Sequence, residues 1–309
     1  MTRTCRVLIA LSATVHAVDP HLQNRAIAPA FSSIVVFGDS FSDNAKPSVN
    51  FSLLGLTVNN ISYNGRFSDG IVWPEYIAGN LSIPLYDYAV GGATTSNMLV
   101  QGYTGARGTI AVPSVVDQVV SFLGKTTPQG VAFTALDSTA LSKPLFVLFA
   151  GANDVLFNPN ISASQTYQAL LQAKTQLRVA YHTAEVLTVS PPDLSKLPYS
   201  FYVDAIAKQQ LQSFTNLLGD LLSRCKVGGV NVDLRPLFEE FEYYAAPQTY
   251  GFNPLGKYGS CLEGAYGETS NVTVCEDAKR KVYWDEYHPT TQTHSWIAKE
   301  VLNMLSGPF

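Results

Sequence analysis

Five short, almost uninterrupted apolar runs constrain this chain more than any other feature: residues 33–37, 85–89, 145–149, 186–189 and 230–234. A strand solvated on one face alternates apolar with polar residues, whereas a strand covered on both faces is apolar throughout. Between the runs lie longer stretches in which apolar residues recur at helical spacing, at 68–80, 115–123, 164–182, 199–225 and 290–305. The alternation predicts a doubly wound, three-layer α/β/α sandwich with a mostly parallel five-stranded sheet. Of the 309 residues 46% are hydrophobic and 14% charged. That is enough apolar material for one sizeable core, and a single domain over residues 18–309 is expected.

The first 17 residues carry two arginines, an apolar stretch over residues 7–13 and the small-residue pattern Val15-His16-Ala17. They read as a secretory signal, too short in its apolar part to span a bilayer. Two further features point to export. Asn50, Asn60, Asn80, Asn160 and Asn271 each open an Asn-X-Ser/Thr sequon with a non-proline centre, a glycan acceptor only along the secretory route. Cys261 and Cys275 flank a Gly-rich loop, and a disulfide between them would restrict its freedom when unfolded. Cys5 leaves with the signal, and Cys225 remains as an unpaired, inert thiol at the end of an apolar helical pattern. The net charge of −4 supplies no electrostatic footprint for nucleic acid. A secreted protein without an integral membrane segment is expected, as a monomer.

In parallel sheets ligands sit beyond the carboxyl ends of the strands, and the unusual residues cluster there. Gly38-Asp39-Ser40 follows the first run, Gly91-Gly92 the second and Gly151-Ala152-Asn153-Asp154 the third. A nucleophilic serine needs a base in hydrogen-bond reach, and the base needs a partner that fixes its tautomer. Of the histidines past the signal, His21 lies near the N-terminus and His182 ends a helical stretch, where the helix dipole explains it. His294 has no acidic residue at contact spacing. His288 alone has a carboxylate beside it in a loop, in Asp285-Glu286-Tyr287-His288-Pro289, and Pro289 suits the first position of the last helix. Gly92 and Asn153 can supply donors to a developing oxyanion. Each cluster also has a plainer reading: a helix-capping turn at Ser40, a tight turn at Gly91-Gly92, an Asx turn at Asn153-Asp154. A metal is not expected, because the spacing of His288 and His294 sends their rings to different helix faces and no further ligand completes a set.

Read in order, Gly38-Asp39-Ser40-Phe41, Asp87 to Gly92, Gly151 to Asp154 and Asp285 to His288 resemble the four hallmark blocks of the GDSL/SGNH hydrolase superfamily. The resemblance implies Ser40 as nucleophile, His288 as base, Asp285 as its orienter, and the Ser40 N–H, Gly92 and Asn153 as the oxyanion hole, with no cofactor. Phe41 stands where the family name has Leu, and Asp87 where many members have Asn. The stretches at 64–73, 88–95 and 284–290 are similar to secreted fungal acetylesterases of carbohydrate esterase family sixteen, and are shared with plant GDSL lipase-like enzymes and bacterial phospholipases. Deacetylation of plant-wall oligosaccharides is the expected activity. A lipase acting on longer acyl chains and a non-catalytic carbohydrate-binding protein are the alternatives. Trp73, Phe157, Tyr258 and Trp284 are candidate sugar-stacking aromatics, and the segment 250–271 a disulfide-tied insertion on the catalytic face.

Overall fold

The computed structural model describes residues 31–45, 62–105, 108–125, 136–224, 229–241, 248–256, 258–264 and 272–306. The signal segment, His21, Cys225 and the sequons at Asn50, Asn60 and Asn271 lie outside the described residues.

Each of the five apolar runs forms a strand of one parallel sheet: β1 (Ser33–Gly38), β2 (Leu85–Asp87), β5 (Pro144–Phe149), β6 (Glu185–Ser190) and β7 (Asn231–Asp233), in the order β2-β1-β5-β6-β7. Every residue of β1 and β5 is buried. Side chains alternate between the faces of a strand, so both faces are covered, as an uninterrupted apolar run requires. The cover comes from α1 (Trp73–Leu81) packed with α6 (Thr291–Ser306), and from α2 (Val115–Gly124), α4 (Ala163–Ala180) and α5 (Ala205–Arg224), of which α4 packs against both α2 and α5. Two antiparallel ribbons lie outside the sheet, β3 (Gly102–Thr104) with β4 (Ile110–Val112) and β8 (Leu262–Glu263) with β9 (Thr273–Val274). Among the described residues no helix is long and apolar enough to cross a membrane.

Strand order reverses at β1, flanked by β2 on one side and β5 on the other. The loops leaving these strands diverge there and open a crevice, the position where ligands sit in doubly wound sheets. Ser40 follows β1, Gly92 follows β2, and Asn153 enters the short helix α3 (Ala152–Phe157) directly after β5.

Three expected helices differ at their ends. The stretch 68–80 becomes helical only at Trp73, because Pro74 opens the helix and Glu75 accepts a hydrogen bond from the Val72 N–H (3.0 Å) while pairing with the buried Arg66 (2.6 Å). The stretch 199–225 divides into a 3-10 turn, Pro198–Tyr202, and α5, whose entry Asp204 caps by accepting the Ala207 N–H (2.8 Å). Pro289 lies two residues before the last helix instead of in its first position; the Asp69 carboxylate accepts the Thr291 N–H (2.7 Å) at the observed start.

Candidate active site

Gly38 ends β1 within close reach of its neighbour: a Cβ there would lie 2.6 Å from the Phe149 carbonyl oxygen. The chain then turns, with the Asp39 carboxylate accepting the Phe41 N–H (3.0 Å) and the Asp39 carbonyl accepting from Ser42 and Asp43. This turn lifts Ser40 over the strand end. Asp43 accepts the Gly91 N–H (2.8 Å) and Asp87 the Asn44 N–H (3.1 Å), so the Ser40 turn is tied to the loop after β2. Asp39 and Asp87 are deeply buried and Asp43 is half-buried. Burial pushes the Asp39 carboxyl up to about 7, partly offset by the Phe41 N–H and His288, and the Asp43 carboxyl up to about 6; Asp87 is raised well above the ordinary carboxylate range.

The loop that carries His288 is folded by Asp285. One carboxylate oxygen of Asp285 accepts the backbone N–H of Tyr287 (2.9 Å) and of His288 (2.8 Å), and His288 Nδ1 faces both carboxylate oxygens at 2.8 Å. A single side chain thus shapes the turn and fixes the imidazole. His288 Nε2 lies 2.8 Å from Ser40 Oγ. Phe67 covers the imidazole with ring centroids 4.9 Å apart, and Phe41 lies farther off at 6.2 Å. These rings keep water from most of the His288 surface, which strengthens its interaction with Asp285.

On the far side of Ser40, Gly92 adopts φ +83°, and a Cβ there would lie 1.9 Å from the Tyr103 carbonyl oxygen. Only glycine fits this approach. The Asn153 side-chain amide donates one N–H to the Ala93 carbonyl (2.9 Å). Its second N–H, the Gly92 N–H and the Ser40 N–H have no hydrogen-bond partner among the described residues. Three unspent donors therefore border the same cavity.

That cavity, of about 370 Å³, is lined by Ser40, His288, Gly92 and Asn153 and walled by Phe67, Tyr103, Leu156, Phe157, Leu194, Leu197, Tyr199 and Tyr287. Tyr199 and Tyr287 stack (centroids 4.9 Å, 28°), and Tyr103 meets Phe157 edge-on (6.3 Å). Of the four candidate stacking aromatics, Phe157 alone reaches it; Trp73 and Trp284 are buried elsewhere and Tyr258 is exposed away from it. The other walls escaped sequence reasoning, although Tyr287 carried a signal in its place next to His288. His294 is fully buried with neither ring nitrogen hydrogen-bonded among the described residues, and burial holds it down at about 3, hence neutral. His182 is exposed just beyond α4. Among the described residues no group of three or more His, Cys, Asp or Glu is placed to hold a metal.

Cys261 and Cys275 form a disulfide across the β8–β9 ribbon. The ribbon bonds to the segment that leads into Asp285, through Cys261 N–H to the Tyr283 carbonyl (3.1 Å) and Leu262 N–H to that of Trp284. No described residue of the segment 250–271 lines the cavity.

A Ser–His–carboxylate line beside free N–H donors, at the switch point of a parallel sheet, is the arrangement of serine hydrolases. Residues 34–301 match the GDSL-like lipase/acylhydrolase family; the chain belongs to it, and its class is that of carboxylic ester hydrolases. Among curated relatives, the thermolabile hemolysin of Vibrio parahaemolyticus is 29% identical over 87% of this chain and 62% of its own. The chain thus spans less than two thirds of that relative's length. An acetylesterase of Hypocrea jecorina is 25% identical over 90% of this chain and 89% of its own. Among solved structures, an M. smegmatis aryl esterase superposes with a TM-score of 0.48 at 15% identity, over 88% of this chain and 99% of its own.

Proposed function

We propose that the protein hydrolyses esters of short acyl groups through an acyl-Ser40 intermediate, with acetylated plant cell-wall oligosaccharides as substrate. The observation that carries the reading is the continuous line Asp285–His288–Ser40, each link at 2.8 Å. His288 Nε2 takes the Ser40 proton as Oγ attacks the ester carbonyl carbon. The oxyanion receives the N–H groups of Ser40 and Gly92 and the second amide hydrogen of Asn153, a well-placed donor contributing roughly 3–4 kcal/mol. The intermediate collapses, and the alcohol leaves with the proton from His288. Water attacks the acyl-enzyme in a second round through the same histidine and releases the acid. None of these steps calls for a cofactor.

Acetylesterases of Hypocrea jecorina and Thermothelomyces thermophilus among the relatives support the acetyl reading, as do the aromatic walls, which suit the apolar faces of a sugar. Leu156, Leu194 and Leu197 favour a second reading, since the cavity is larger and more aliphatic than an acetyl group needs: hydrolysis of longer acyl chains. Export to the cell exterior as a glycoprotein belongs to the same proposal. The exposure of Asn80 and Asn160 leaves both sequons accessible to glycans, and the Cys261–Cys275 disulfide suits an oxidising compartment.

The test is hydrolysis of acetylated xylo-oligosaccharides, 4-nitrophenyl acetate and a long-chain 4-nitrophenyl ester by the wild type and Ser40→Ala. Folded Ser40→Ala is expected to lose nearly all turnover; retained turnover refutes the nucleophile. Acetate release from the sugar with little long-chain activity supports the first reading, and the converse the second. Failure of an organophosphonate to label Ser40 would leave a binding protein.

A further inference from the structure

The two candidate oxyanion segments come from loops that no sheet hydrogen bond joins: residues 90–95 follow β2, residues 151–154 follow β5, and β1 lies between those strands. Their separation must nevertheless be held to a few tenths of an ångström for Gly92 N–H and the Asn153 amide to meet one oxygen atom. Two adjacent rungs span the gap. Asn153 donates to the Ala93 carbonyl at 2.9 Å. Next to it, Asp154 accepts the Thr95 backbone N–H on one carboxylate oxygen (2.9 Å) and the Thr95 hydroxyl on the other. The Thr166 hydroxyl of α4 donates to that second oxygen as well (3.1 Å), which anchors the rung to the helical layer.

Asp154, Thr95 and Thr166 are all fully buried, and no ion pair reaches Asp154 among the described residues. A carboxylate buried without a cation is costly to the fold. Here three donors converge on it, and a carboxylate accepts from all three where a neutral amide of the same shape cannot, because one of its two ends only donates. We infer that Asp154 is a positioning residue for ester hydrolysis, holding the loop that carries Gly92 in register with Asn153 through its bonds to Thr95. It touches no substrate; it acts through the two donors. The inference rests on the proposed role of Ser40 and its surrounding donors.

The experiment compares Asp154→Asn and Thr95→Val with the wild type on a short-chain 4-nitrophenyl ester, for kcat and KM. Thermal unfolding and affinity for a boronic acid, which adds to Ser40 and mimics the tetrahedral intermediate, are measured alongside. Asp154→Asn sets an amide donor against the Thr95 donors. It is expected to lower kcat about 10- to 100-fold with KM within about twofold, and to weaken the boronate by a similar factor. Thr95→Val keeps the backbone N–H rung and is expected to lower kcat about 3- to 10-fold, with the double variant no worse than Asp154→Asn alone. A lowered melting temperature with wild-type kcat and boronate affinity would overturn the inference, leaving Asp154 as a structural residue only. If Asp154→Asn does not fold, Thr95→Val decides: unchanged kcat and boronate affinity overturn it equally. Turnover retained in Ser40→Ala would instead defeat the underlying reading, so the two failures are distinguishable.

Discussion

Gln118 shows how much a single buried amide determines at the nucleophile turn. Strand β2 pairs with β1 only as far as Asp87 opposite Val36, so the Gly38 N–H has no strand to bond on that side. Gln118, fully buried on α2, substitutes for it, its Oε1 accepting the Gly38 N–H and its Nε2 donating to the Gly38 carbonyl, both at 2.9 Å. Gln118→Leu fills the same space and leaves the Gly38 N–H buried without an acceptor, while its carbonyl keeps the Val90 N–H (3.1 Å). The expected loss is about 2 kcal/mol, read in urea as a lower midpoint at unchanged slope. Gly92→Ala is harsher, since the added Cβ meets a backbone carbonyl that no side-chain rotation can clear. Such a variant is expected to lose about 100-fold or more in kcat, whereas a wild-type kcat would show that the Gly92 N–H does not serve the reaction.

At the scale of elements, the sequence revealed what local chemistry controls and concealed what topology controls. All five strands fall within two residues of their apolar runs, because a strand buried on both faces has to be apolar along its length. Ser40, Gly92, Asn153, Asp285 and His288 stood out as polar or glycine residues directly after such runs or beside a carboxylate; the fold gathers Ser40, Gly92, Asn153 and His288 at one cavity, with Asp285 behind the imidazole. The helix ends were less legible, since Glu75–Arg66 and Asp69–Thr291 fix them through contacts between segments. Gln118, the Asp154 rung and the walls Tyr103 and Tyr199 were illegible for the same reason: each acquires its meaning only when segments dozens of residues apart meet. The segment 250–271 reads in the sequence as an insertion on the catalytic face, yet its described residues lie outside the cavity, and β8 within it bonds to the approach to Asp285. Replacing both Cys261 and Cys275 by Ser is expected to cost up to about 3 kcal/mol, the loop-closure value for a ring of this size. Reductant should then lower the wild-type melting temperature and leave that of the double variant unmoved; an indifferent wild type would mean that the docking of the ribbon needs no cross-link.

For the molecule as a whole, the buried carboxylates predict an unusual dependence of stability on pH. Burial raises Asp39 to about 7, Asp43 and Asp154 to about 6, and Asp87 well above its ordinary 3.8. A carboxyl with a raised folded-state pKa binds its proton more readily in the native than in the unfolded chain. Its favourable contribution is therefore complete below about pH 4 and is lost as pH rises through the folded value. His294 acts in the opposite sense: held neutral down to about 3, it binds its proton more readily in the unfolded chain, so stability falls as pH drops from 6.5. Between pH 4 and 6 these four carboxyls, together with those of Asp69 and Glu286, which burial also raises, oppose one histidine, and the carboxyls prevail in number. The melting temperature is expected to be higher near pH 5 than near pH 7.5, and Asp43→Asn, which removes one of these ionisations, should flatten that decline. A rise in melting temperature from pH 5 to 7.5 would mean that these aspartates stay ionised in the fold, with hydrogen bonds such as Asp43 to Gly91 and Asp154 to Thr95 outweighing desolvation. The same titration bears on the proposed catalysis, because Asp39 adjoins Ser40 and interacts with His288: its ionisation as pH rises toward 7 adds a negative charge that would stabilise the imidazolium of the proposed acylation. Maximal stability and maximal turnover should therefore fall at different pH values, the fold favouring the acid side and the proposed reaction the neutral one.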